Sequence, residues 1–88
     1  MPETEASVKE QVRQWVMETA ERKGVEVTSD DESLTASGVI DSLAIFRLVS
    51  FLEETFQLRV ADEEIVNDNF KSINEIERFV TSKLAPKA

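Results

Sequence analysis

The sequence predicts an all-α fold, a small four-helix bundle with three main helices, one short helix and a long loop between helices I and II. Three observations carry that reading. Aliphatic residues recur at helical spacing over three stretches; glycine and proline number only two each; and Ser72-Ile73-Asn74-Glu75 spells a capping box at a helix start. At 88 residues, a single domain over 1–88 is the natural unit, with a modest core and with 1–4 and 85–88 expected as flexible termini.

The first helix is expected over 5–23. Val8, Val12, Trp15, Val16 and Thr19 share one face, and Lys9, Glu10, Arg13, Glu18 and Glu21 occupy most of the rest. Gly24 is placed to stop it. Residues 25–40 then form a connector of unusual length for so small a domain, and such connectors are often functional. Val25, Val27, Leu34, Val39 and Ile40 are expected to tack it to the core, and Gly38 to turn the backbone.

The second helix is expected over 42–56. At about 100° per residue, Ile45, Leu48, Val49, Leu52 and Phe56 form the buried face. Leu43 and Phe46 fall away from it, among Arg47, Ser50, Glu53 and Glu54. That surplus of apolar surface marks either a partner site or burial against the preceding loop. Residues 57–61 read as an extended link, and 62–66 as one or two helical turns with Asp62 as N-cap. The last helix, over 72–84, carries the stripe Ile73, Ile76, Phe79, Val80 and Leu84 and ends before Pro86. No repeats occur.

Composition excludes several functions. Eighteen acidic and ten basic residues give a net charge of −8, a poor match for nucleic acid or anionic membranes and a better one for proteins with basic patches. No run approaches the roughly 20 apolar residues of a membrane span. Residues 1–5 lack the pattern of a secretion signal, so a cytoplasmic protein is expected. With no histidine and no cysteine, serine–histidine and cysteine–histidine catalysis are impossible. The acidic runs Glu53-Glu54 and Asp62-Glu63-Glu64 lack a pocket, so no enzyme is expected. Neither Asp30-Asp31-Glu32 nor Asp62-Glu63-Glu64 has the spacing of a calcium loop, and no dedicated metal site is expected.

Asp41-Ser42-Leu43 concentrates the interest of the chain. It ends the small-residue stretch Ser37-Gly38-Val39-Ile40 and opens the most apolar helix. Ser42 would lie at a helix N-terminus, where unpaired amides and the macrodipole favour a phosphate. Alone, the tripeptide fits equally an N-cap followed by a polar first-turn residue.

With its surroundings, it resembles an acyl carrier protein. The resemblance runs from the first helix to Leu84, through Gly38-Val39-Ile40-Asp41-Ser42-Leu43, Leu48-Val49-Ser50-Phe51-Leu52-Glu53-Glu54-Thr55-Phe56 and Val60-Ala61-Asp62-Glu63-Glu64. It implies that a phosphopantetheinyl transferase attaches 4'-phosphopantetheine to Ser42 as a phosphodiester, with Asp41 positioning the serine and the metal-bound coenzyme A. The thiol of the arm would carry acyl groups as thioesters between the partner enzymes of fatty-acid, polyketide or specialised lipid synthesis. Partners would include a loading ligase and downstream acyltransferases or synthases, and the carrier would be monomeric. Leu43, Phe46, Arg47, Ser50, Glu53 and Glu54 would meet those enzymes. Ile45, Val49, Leu52, Phe56, Ile65, Phe70 and Ile76 would line a cargo space, if they do more than pack the core.

Two positions depart from the pattern of fatty-acid carriers, which are usually acidic two and five residues after the serine. Here those residues are Ala44 and Arg47, which points to a specialised stand-alone carrier with different partners. An aminoacyl, peptidyl or D-alanyl carrier is the alternative, since its second helix tends to be less acidic. An unmodified helical adaptor is a second alternative.

Overall fold

The computed structural model describes residues 5–84. Three α-helices, α1 (Glu5–Lys23), α2 (Ala44–Phe56) and α3 (Ile73–Leu84), are joined by the long connector and by a segment with two 3-10 turns, Asp62–Glu64 and Asn67–Asn69. Among the described residues there is no strand. The expected flexible termini and Pro86 lie outside the described residues.

α1 buries Val8, Val12, Val16, Thr19 and Ala20. Trp15, expected on that face, is only half-buried and stacks on Phe51 of α2 with ring centroids 6.0 Å apart. Gly24 closes the helix at φ +70°. Its amide donates to the carbonyl of Glu21 (3.1 Å) and that of Val25 to Ala20 (2.9 Å), which is a Schellman cap.

The connector is part of the core. Val27, Leu34, Val39 and Ile40 are buried, with Val25 packed beside them. The amide of Leu34 donates to the carbonyl of Lys71 (2.7 Å), and that of Asn74 to the carbonyl of Asp30 (3.0 Å). Asp30 also accepts from Arg13 Nε (3.2 Å). This guanidinium, with Lys9 beyond it, holds the Asp30 carboxyl below its ordinary range. Asp31 accepts from the Asn74 amide, and Glu32 caps the Thr28 backbone at 2.9 Å. The acidic run therefore serves as a clasp between α1, the connector and α3.

Two boundaries differ from the sequence reading. The short helix expected over 62–66 is a single 3-10 turn, and its cap position is Ala61, not Asp62. Glu64 reaches back to accept from the Ala61 amide at 2.9 Å, the half of a capping box that needs no cap side chain. The second turn, at Asn67–Asn69, was not expected. The side-chain amide of Asn69 donates to the carbonyl of Glu64 (2.8 Å), which favours local turns over a continuous helix. α3 begins as expected, with the hydroxyl of Ser72 accepting from the Glu75 amide at 3.2 Å. It buries Ile73, Ile76 and Val80.

Because Leu34 is fully buried in a segment without regular structure, Leu34→Ala should destabilise the fold by about 2–5 kcal/mol, like a helical core position. Urea unfolding followed by circular dichroism measures this; a loss near zero would mean that the connector lies outside the core. Gly38 sits at φ +91° with open space where a Cβ would stand, so Gly38→Ala should cost about 1–3 kcal/mol through backbone strain alone.

Candidate functional site

Asp41 is the hydrogen-bonding start of α2. Its carbonyl accepts from the Ile45 amide at 3.0 Å. Its Oδ1 accepts from the amides of Leu43 (3.1 Å) and Ala44 (2.7 Å). Ser42 and Leu43 thus form a first turn just ahead of the regular helix, which starts two residues later than expected. The backbone of Leu43 is already helical, at φ −84° and ψ −42°.

The second carboxylate oxygen of Asp41 pairs with Lys23 Nζ at 2.7 Å. The same ammonium donates to the Gly38 carbonyl at 3.3 Å. Lys23, together with the capping amides, draws the Asp41 carboxyl from 3.8 down to about 2. Lys23 is the site residue that sequence reasoning missed. Its only signal was a basic residue in the last turn of α1, which equally suits the helix dipole.

Ser42 is exposed, and its hydroxyl has no hydrogen-bond partner among the described residues. Its spacing of four and eleven residues from Phe46 and Glu53 places all three along one side of α2; Leu43, Arg47, Ser50 and Glu54 repeat the same spacing on the neighbouring strip. One expectation needs correcting. Two of the amides that would bind a phosphate at this helix start, those of Leu43 and Ala44, are already taken by Asp41 Oδ1. A phosphodiester on Ser42 would meet the macrodipole and a carboxylate neutralised by Lys23, rather than a ring of free N–H groups.

Leu43 and Phe46 are 62% and 59% exposed, so they do not bury against the connector. Arg47, Ser50 and Glu54 are exposed beside them. Glu53 departs from the group: it is half-buried, and its Oε2 accepts from the Val60 amide at 2.9 Å. It holds the 57–61 link to α2 instead of forming a free rim. Val49, Leu52, Phe56, Phe70 and Ile76 are buried in the core, with Ile45 and Ile65 partly buried against it. Among the described residues, no group of three acidic, histidine or cysteine side chains converges to hold a metal ion, and no helix is long and apolar enough to cross a membrane.

Residues 10–80 match the family described as "Phosphopantetheine attachment site". The chain belongs to the phosphopantetheine-binding carrier proteins. Such a carrier performs no catalysis itself; it holds covalent 4'-phosphopantetheine and depends on a phosphopantetheinyl transferase and on loading enzymes. This carrier is also 37% identical over 68 residues to a D-alanyl carrier protein of Streptococcus sanguinis (strain SK36), a match spanning 75% of the chain and 86% of that protein. No solved structure matches it significantly.

The Lys23 contact is open to direct measurement. Lys23→Met should raise the Asp41 carboxyl from about 2 toward, but not up to, its ordinary range, because two amides still donate to it. Carboxyl chemical shifts followed through an acid titration report the change. A carboxyl with a lowered folded value stabilises the native state above its unfolded value near 3.8. That contribution fades as pH falls from about 4 to about 2. In Lys23→Met the fading should be complete at higher pH than in the parent.

Proposed function

We propose that Ser42 is the residue that carries the arm and that the cargo is an activated amino acid, with D-alanine the first candidate. The exposed, unpartnered hydroxyl of Ser42 in the first turn of α2 carries the attachment assignment. The hydroxyl is free for transfer of the phosphopantetheine group from coenzyme A, while Asp41 fixes the turn and Lys23 cancels the charge of Asp41 beside the new phosphodiester. The thiol at the far end of the arm supplies the thioester chemistry that a cysteine-free chain lacks. Leu43, Phe46, Arg47, Ser50 and Glu54 form the face that loading and receiving enzymes meet, an exposed apolar pair with a mixed polar rim.

The choice of cargo rests on the similarity to a D-alanyl carrier protein and on Ala44 and Arg47, which remove acidic charge from the docking helix. The aminoacyl alternative is therefore better supported than a carrier of fatty-acyl or polyketide chains.

Incubation with coenzyme A and a broad-specificity transferase should add one phosphopantetheine by intact mass, and Ser42→Ala should abolish the gain. A gain that survives the substitution would overturn the assignment. The holo protein should then be charged by a D-alanine-activating ligase at least about tenfold faster than by a fatty-acyl-activating ligase, a preference of about 1.4 kcal/mol. The reverse preference would return the cargo to the fatty-acyl class.

A further inference from the structure

A groove of about 190 Å³ runs between the end of α1 and the start of α2, with Trp15 and Thr19 on one side, Leu43 on the other, and Arg22, Lys23 and Arg47 around it. Asp41 is its sole acidic lining residue. Three cations against one anion leave it two positive charges in excess, on a chain whose net charge is −8. Those two charges are accessible. Lys23 is engaged with Asp41, but Arg22 reaches only the Thr19 hydroxyl, at 3.5 Å. Arg47 is exposed and has no polar partner among the described residues.

We infer that this groove receives an acidic segment of a partner protein, with its carboxylates on Arg22 and Arg47 and an apolar side chain against Trp15 and Leu43. The inference deepens the carrier reading by naming the chemistry of the partner. Charge complementarity selects an anionic occupant, and planar guanidinium groups suit carboxylates in particular. The size of the groove selects a protein segment. It is smaller than the roughly 300 Å³ at which small-molecule pockets begin, yet it continues onto the exposed Leu43 and Phe46, as a docking face does. Ser42 itself is not among the residues that line it. Leu43, Ala44 and Arg47 line the groove, and a residue one position before Leu43 is turned by about 100° away from that strip. With a partner segment in the groove, an arm on Ser42 would still be able to extend into the active site of the same partner.

The inference is tested with the full-length Ser42→Ala protein, which cannot take an arm, so that its outcome is separate from the carrier assignment. Trp15, the single tryptophan, reports occupancy by its emission. Three short amphipathic peptides serve as probes, with leucine alternating with pairs of glutamate, of glutamine or of lysine. The glutamate peptide should saturate the signal, and the glutamine peptide should bind about tenfold more weakly or worse. Raising salt should weaken the glutamate peptide selectively. Arg47→Gln should lose most of this preference, and the double variant Arg22→Glu/Arg47→Glu should favour the lysine peptide. Circular dichroism confirms that each variant is folded, and Arg47→Gln serves alone if the double variant is not. Equal binding of the glutamate and glutamine peptides, preference of the parent for the lysine peptide, or no binding by any of the three overturns the inference.

Discussion

The carboxylate of Asp41 is the contact on which the site depends. One oxygen gathers the amides of Leu43 and Ala44 and so starts α2. The other meets Lys23 at the end of α1, and Lys23 in turn holds the Gly38 carbonyl. One side chain therefore fixes the direction of α2, the distance between two helix ends and the last turn of the connector. Ser42 inherits its placement from all three, while its hydroxyl has no hydrogen-bond partner among the described residues. An exposed side chain at a helix start is best held by its backbone, and the Asp41 cap does this for Ser42.

Much of this was legible in the sequence because it follows from local rules. The period of Val8, Val12 and Val16, the stop at Gly24 and the cap at Ser72 involve residues within a turn or two of each other, and all three appear where expected. The anchors of the connector were also readable, since isolated Val27, Leu34, Val39 and Ile40 have no other reason to interrupt a polar stretch. Ser42 stood out through the pattern around it more than through its own tripeptide.

What was not legible depends on contacts between distant segments. Lys23 lies 18 residues from Asp41, and no spacing rule connects them. Glu53 reads as a free surface acid until its carboxylate is seen to bind the Val60 amide. Trp15 fits the apolar period of α1 but lies at the helix margin, where α2 offers Phe51 as a stacking partner. The α2 start shows the limit of motif reasoning most clearly. A helix N-terminus preceded by a serine suggests free amides for a phosphate, yet a neighbouring aspartate holds two of them, those of Leu43 and Ala44.

The two backbone hydrogen bonds that join the connector to the start of α3 and the residues just before it, from Leu34 to Lys71 and from Asn74 to Asp30, have a consequence for how a carrier works. They cross-link halves of the chain at Asp30 and Leu34, and the Lys23 contacts with Gly38 and Asp41 tie down the residues just before Ser42. A substituent at the start of α2 would thus hang from backbone tied to two other segments of the fold. Each enzyme in a series would then meet the same folded surface, with the reach between active sites supplied by the bonds of the arm.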